Sequence, residues 1–312
     1  MQTQAVIFEK PKHLSVSEIS LVEPCGTDVV VETDWSGIST GTERLLWTGR
    51  MPSFPGLGYP LVPGYESVGK VVEAGSKSSL KVGETVFVPG ASCYGEIKGL
   101  FGGAASTLVV NSERVIKINS DLNQHGVLLA LAATAFHALS VNTTAHIPDL
   151  IVGHGVLGRL MARIIIALGH EAPTVWETDP IRVSGATGYA VLHPDTDDNK
   201  QYQSICDVSG NSSLLDSLIA RLCHGGEIVL AGFYDQLSFS FPPAFMREMR
   251  MRVAAEWKPN DLIEINKLID DGKLSLEGLI THSHKPNEAA VAYQTAFEDS
   301  SCLKMILNWR SH

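Results

Sequence analysis

The run Gly153-His154-Gly155-Val156-Leu157-Gly158 follows a short apolar stretch, Ile151-Val152, and precedes apolar residues at helical spacing over 159–168. The glycine spacing gives each glycine a separate task. Gly153 permits a tight turn, Gly155 lets the backbone approach a pyrophosphate, and Gly158 lets the following helix pack close to the strand. The first N–H groups of that helix, those of Val156 and Leu157 among them, have no partner within it and face an anion. The stretch therefore reads as a dinucleotide cradle. The next apolar run, Pro173-Thr174-Val175-Trp176, ends in Glu177, close to the position at which a carboxylate takes the ribose hydroxyls of NAD. A carboxylate there would repel the 2′-phosphate of NADP, so NAD is the expected cofactor.

A cradle needs elements to hold it. Strand-like runs at 204–210, which includes Ser209, and at 226–232, ending in Gly232, are separated by a helix-like piece over 214–222. Such alternation implies α/β architecture with a doubly wound parallel sheet, the Rossmann arrangement. The first 120 residues have a different texture, with short strands at 4–9, 29–35, 67–74, 84–89 and 106–110 between dense Gly and Pro. That pattern suits a small twisted β-barrel. A long loop near 44–60 carries Trp47, Phe54 and Tyr59. Such a loop serves as a binding wall or packs its own aromatics into a satellite core, and the sequence leaves both open. A helix over 124–141 leads into the nucleotide domain. Beyond 258 the pattern gives a helix over 261–271 capped by Gly272, a strand at 279–284, a helix at 287–297 and a strand at 303–309. The expected domains are 1–125, 126–258 for the nucleotide, and 259–312 returning to the first.

Composition narrows the function. A chain of 312 residues favours two domains over one core. The net charge of −10 argues against a nucleic-acid-binding surface. Cysteines at 25, 93, 206, 223 and 302 are scattered, with no C-x-x-C, which suits free thiols in a reducing compartment. The N-terminus lacks a basic region followed by an apolar core, and the longest apolar segment, 126–135, is too short to span a bilayer. A cytoplasmic protein with no integral membrane segment is expected.

Several motifs together resemble the medium-chain dehydrogenase/reductase superfamily over essentially the whole chain. Gly37-Ile38-Ser39-Thr40-Gly41-Thr42-Glu43 resembles the family segment Gly-Ile-Cys-Gly-Thr-Asp, and Pro63-Gly64-Tyr65-Glu66 resembles Pro-Gly-His-Glu. The tail, Leu279-Ile280-Thr281-His282 and then Leu303-Lys304-Met305-Ile306-Leu307, resembles the family's return strand. The resemblance implies a GroES-like β-barrel catalytic domain beside the Rossmann domain. Zinc-dependent members hold a catalytic metal through a Cys, a His and a further Cys or Glu. Motif matching puts Thr40 or Ser39, Tyr65 and Ala130 at those positions, which supply neither thiolate nor imidazole. The four-cysteine lobe for a structural zinc is also missing. No metal site is expected, and His282 and His284 read as ordinary surface residues.

The segments at 36–45, 63–66 and 153–158 are most similar to the superfamily branch acting on chlorophyll-type pigments. That resemblance implies NAD-dependent oxidation of the 3-(1-hydroxyethyl) group of a chlorophyllide or bacteriochlorophyllide to 3-acetyl, in bacteriochlorophyll biosynthesis. Without zinc, hydroxyl side chains must acidify the alcohol. Tyr65 is the first candidate to hold the alcohol oxygen, as a hydrogen-bond donor, or as a base if its pKa is depressed. As a packed barrel aromatic it would do neither. Ser39 and Thr40 stand beside it, Thr42 matches the family's relay hydroxyl, and Glu66 matches a carboxylate that supports the site. His154, in the glycine loop, and His137, in the preceding helix, read as mostly structural. On the cofactor side the resemblance implies Thr134 at the nicotinamide, Gly232 and Phe233 at its carboxamide, Ser209 nearby, and Lys304 at the pyrophosphate. A pigment slot would draw walls from Trp47, Phe54, Tyr59 and Trp257, with Arg44 or Arg50 for a propionate. A homodimer is a family expectation. Two other classes stay open: a zinc-free NAD(P)H quinone or enoyl reductase, and a non-catalytic nucleotide- or pigment-binding protein.

Overall fold

The computed structural model describes residues 1–140 and 146–311. They gather into two compact units, Met1–Ala130 with Glu277–His312, and Leu131–Leu276. The helix expected over 124–141 is realised over Leu129–Ser140, and Val141 lies outside the described residues.

In the first unit, the valine-rich strand Asp28–Ile38 pairs antiparallel with Ser67–Ala74 on one side and with Met305–Asn308 and Thr107–Asn111 elsewhere along its length. β-Branched residues suit this half-buried pleat, and Val29, Val30 and Val31 are all buried. Gln2–Lys10 pairs with His13–Ser20, a strand that the sequence reading did not anticipate. Its apolar signal is diluted by serines, and most of its positions stay partly exposed. The core joins Phe8, Leu46 and Tyr293 from three different elements, Tyr293 coming from the helix Ala289–Glu298. The C-terminal segment thus completes the barrel core rather than merely ending the chain.

In the second unit six parallel strands run in the order Ala190–Leu192, Thr174–Trp176, Leu150–Val152, Tyr202–Asp207, Leu222–Leu230, Arg250–Val253. The chain-order reversal falls between Leu150–Val152 and Tyr202–Asp207, where doubly wound sheets present ligands beyond their carboxyl ends. The helix Val156–Ala167 buries Val156, Leu160, Met161, Ile164 and Ile165, a stripe at the helical period.

The return to the first unit comes at Glu277, not at 259. The helix Pro259–Asp270 stays with the nucleotide unit because Asp261 accepts a bond from His137 at 2.8 Å and Arg163 donates to the Ser275 carbonyl at 2.9 Å. Periodicity located that helix but carried no signal of which core it serves.

Candidate active site and cofactor cradle

Strand Leu150–Val152 runs directly into the glycine turn. Gly153 adopts φ +110°, and a Cβ on Gly158 would lie 1.9 Å from the Gly153 carbonyl oxygen, so only glycine lets the helix start this close to the strand. Gly155 caps the helix without any side-chain bond, leaving the N–H groups of Val156, Leu157 and Gly158 pointing out of its first turn. Nothing stands within 4 Å of where a Gly155 Cβ would be, so the cradle is open above it. The Glu177 carboxylate accepts from the backbone N–H groups of His154, Thr178 and Asp179 at 3.0, 2.8 and 2.9 Å. Those bonds fix an anion beside the turn. The ends of the next strands bring Ser209 and Gly232 to the same sheet edge, where Gly232 N–H donates to Asp207 at 3.1 Å and Phe233 is about half exposed. The residues present fit a dinucleotide.

His154 serves the cradle differently from its place on the motif. Its imidazole is fully buried, with Nδ1 2.6 Å from the Arg182 carbonyl and Nε2 2.8 Å from the Tyr189 hydroxyl. Burial lowers its pKa, so the ring is neutral and structural. Arg159 reinforces it, donating to the carbonyls of His154, Arg182 and Ser184. Together they strap the loop after Glu177 onto the glycine turn. Thr134 lies in this unit on the helix Leu129–Ser140, half-buried.

In the barrel unit the Tyr65 hydroxyl lies 2.8 Å from Ser39 Oγ. Of the two hydroxyls offered for one ligand position, Ser39 is the one joined to Tyr65; Thr40 is placed in the adjoining turn. The Thr42 hydroxyl also bears on the phenol. The pKa of Tyr65 is nevertheless raised, by burial first and by the neighbouring Glu66 second. Tyr65 therefore keeps its proton at neutral pH and has an O–H to donate, and the direction of the shift runs against the base alternative. Its ring meets Phe101 edge to face, with centroids 5.6 Å apart.

Glu66 is completely buried and forms an ion pair with Lys304, itself 1% exposed. Burial raises the Glu66 pKa while Lys304 opposes the shift. Lys304, expected beside a pyrophosphate, thus spends its charge inside the barrel on Glu66. A Cβ on Gly37 would fall 2.2 Å from the Glu66 carboxylate, so the glycine makes room for this pair.

The sequence reading missed Glu43. It is fully buried, accepting from Ser39 N–H at 2.9 Å and from the Tyr293 hydroxyl at 2.7 Å, and burial pushes its pKa up to about 7. The signal was available, because Glu43 occupies the acidic position of the segment read for its hydroxyls. Tyr293 gave none; it is one aromatic in a helix 250 residues away.

The aromatic loop packs Trp47, Phe54 and Tyr59 against the barrel core, with Trp47 edge-on to Phe8 at 5.5 Å and the Tyr59 hydroxyl donating to the Leu46 carbonyl. Arg44 and Arg50 stay exposed. Trp257 belongs to the other unit and is half-buried there. The family's catalytic zinc does not fit the residues present: a hydroxyl, a phenol that keeps its proton and the Ala130 methyl are not a zinc donor set. Among the described residues no three His, Cys, Asp or Glu side chains form a metal-holding group. His284 bonds Glu288 and His282 bonds Thr281 instead.

Comparison with known proteins agrees with this fold. Residues 26–120 match the family described as Alcohol dehydrogenase GroES-like domain. The chain is 54% identical over 312 residues to the 2-desacetyl-2-hydroxyethyl bacteriochlorophyllide A dehydrogenase of Rhodobacter capsulatus, covering 99% of each. It is also 54% identical, over 317 residues, to the protein of that name from Cereibacter sphaeroides, covering 100% of this chain and 99% of the relative. The crystal structure of 2R,3R-butanediol dehydrogenase from Bacillus subtilis superposes with a TM-score of 0.85 at 20% identity, covering 99% of each chain. A GroES-like barrel with a Rossmann unit defines a medium-chain dehydrogenase, an oxidoreductase acting on a CH–OH group with a nicotinamide cofactor. Within that class, the chain belongs to the 2-desacetyl-2-hydroxyethyl bacteriochlorophyllide A dehydrogenase family.

Proposed function

We propose that this enzyme oxidises the 3-(1-hydroxyethyl) group of a chlorophyllide or bacteriochlorophyllide to 3-acetyl, with NAD as acceptor and without catalytic zinc, in bacteriochlorophyll biosynthesis. The observation that carries the proposal is 54% identity along the full length of relatives named for this activity. The Ser39–Tyr65 hydroxyl pair at 2.8 Å supports the zinc-free part.

When bound, NAD would supply the acceptor for the electron pair leaving the carbinol carbon. The Gly153–Gly158 turn and Glu177 would hold it, with Thr134, Ser209, Gly232 and Phe233 as further contacts. A carboxylate fixed by backbone N–H groups welcomes ribose hydroxyls and repels a 2′-phosphate, which favours NAD over NADP. Tyr65 donates to the substrate oxygen. The Ser39 or Thr42 hydroxyl accepts the proton released by the alcohol as it gives up its own, and the last hydroxyl hands its proton to solvent water, so the phenol need never carry charge. The substrate eases the demand on these groups, because conjugation with the macrocycle stabilises positive character at the reacting carbon. Trp47, Phe54 and Tyr59 pack on the barrel core but stay partly exposed, and those exposed faces would wall the ring while Arg44 or Arg50 would meet a propionate.

Among the described residues no helix is long and apolar enough to cross a membrane. The expected homodimer is supported by the nucleotide unit, which carries an outer strand, Arg250–Val253, and exposed Phe241, Phe245 and Met246. Sedimentation of the purified chain distinguishes one copy from two.

The test of function incubates the purified chain with each hydroxyethyl pigment and NAD or NADP, following NADH absorbance and the acetyl product's spectral shift. Turnover with NAD at least ~10² times more efficient than with NADP is the expected result. Pigment binding without turnover would indicate a carrier, and reduction of a conjugated double bond by NADPH would indicate a reductase.

A further inference from the structure

We propose that Glu43 is the positioning residue of this site: clamped by Tyr293, it holds the Ser39 backbone so that Ser39 Oγ orders the Tyr65 hydroxyl. The inference rests on the alcohol-oxidation reading above.

Glu43 grips Ser39 on both of its backbone groups. Its carboxylate accepts from Ser39 N–H at 2.9 Å, while its own N–H donates to the Ser39 carbonyl at 3.2 Å. The entry to the helix Thr42–Thr48 is thereby closed into a fixed turn, and Ser39 Oγ projects from it to within 2.8 Å of Tyr65. The other carboxylate oxygen accepts from Tyr293, whose ring is held edge-on between Phe8 and Phe297 at centroid distances of 5.2 and 5.8 Å. The path from the barrel core to the reacting hydroxyl is continuous: Phe8, Tyr293, Glu43, Ser39, Tyr65.

Packing alone does not account for a carboxylate in this place. Burying one is costly without compensating bonds, and the nearby cation, Lys304, is bonded to Glu66. A neutral side chain would fill the space at lower cost. Only an ionised carboxylate accepts from both Ser39 N–H and Tyr293 O–H without giving up an oxygen to its own proton. The groups facing it set how readily it ionises: Tyr293 and Ser39 favour the charged form, Glu66 opposes it and Lys304 favours it, with burial the largest influence. Tyr65 also senses its charge. Since burial brings the carboxyl to about 7, its acceptor state grows as pH rises through neutrality, and turnover should rise with it.

The experiment uses the full chain as wild type, Glu43→Gln, Tyr293→Phe, Tyr65→Phe and the Glu43→Gln/Tyr65→Phe double variant. Glu43→Gln should lower kcat ~10-fold with KM changed less than ~2-fold, and should remove the wild-type rise in kcat near neutral pH. In the Tyr65→Phe background the same change should cost less than ~2-fold, because both residues act through one hydroxyl. A full ~10-fold loss in that background, or no loss in the wild-type background, overturns the proposal. Should Glu43→Gln not fold, Tyr293→Phe, alone and combined with Tyr65→Phe, decides by the same comparison, with a kcat loss of ~3-fold expected for the single change. NMR of protein labelled with [13Cζ]tyrosine separates this proposal from the function itself. The Tyr65 resonance, assigned by its loss in Tyr65→Phe, should move in Glu43→Gln or Tyr293→Phe whatever the substrate. An enzyme that turns over no pigment yet shows that movement loses the proposed function and keeps the positioning role. An unmoved resonance removes the role.

Discussion

A phenol in water and a phenol beside buried carboxylates offer different chemistry, and Tyr65 is of the second kind. Burial and the Glu66 charge raise its pKa, so in the proposed mechanism it serves as a hydrogen-bond donor rather than a base. Tyr65→Phe removes that donor and should lower kcat at least ~10-fold, about 1.4 kcal/mol in the barrel's contribution to the barrier. An unchanged rate in steady-state assays would take Tyr65 out of the mechanism. Glu43 makes a separate prediction about stability. Its folded pKa of about 7 lies above the ordinary 4.5, so the folded state retains a proton that the unfolded chain releases between those values. Its contribution is whole below about pH 4.5 and is lost as pH rises through about 7. Glu43→Gln cannot titrate. Relative to that variant, the wild type should lose on the order of 3 kcal/mol across this window, read by urea unfolding at each pH. The hydroxyls at 39, 40, 42 and 65 were legible from residue type and motif position. Which pair bonds, and that Lys304 is spent on Glu66, depend on distances between segments far apart in the chain.

The strand, turn and helix around residues 150–167 show what local pattern can specify. Their order, the glycine tasks and the buried stripe all follow from spacing, since every constraint acts between near neighbours. Gly158→Ala tests the tightest of them. Its methyl would meet the Gly153 carbonyl at 1.9 Å, pushing the helix start off the strand. NADH affinity should fall at least ~10-fold by fluorescence titration, with catalytic-unit signals such as the Tyr65 resonance unchanged; retained affinity would show that the turn does not bind the dinucleotide. Less legible elements fail for the same physical reason. His13–Ser20 carries a weak apolar alternation at a partly exposed edge. The helix Pro259–Asp270 shows its period but not its allegiance, which its bonds to the nucleotide unit decide.

Across the whole molecule, the alternation of a barrel and a doubly wound sheet was readable because each leaves its own hydrophobic period in the sequence. The point of return to the barrel was not, because it is set by packing against a partner element rather than by composition. The departure proposed from zinc-dependent relatives in the superfamily is one of donor chemistry: motif matching puts Thr40 or Ser39, Tyr65 and Ala130 at the positions that call for a thiolate, an imidazole and a third ligand. The resulting claim is that hydroxyl groups ordered by a buried carboxylate carry the alcohol chemistry. The measurement that tests it most directly is elemental analysis of the purified enzyme, paired with NAD-linked turnover before and after treatment with a strong chelator. The account predicts less than ~0.1 transition-metal atom per chain and unchanged turnover. One tightly bound zinc per chain, with activity lost on its removal and restored on its return, would contradict it.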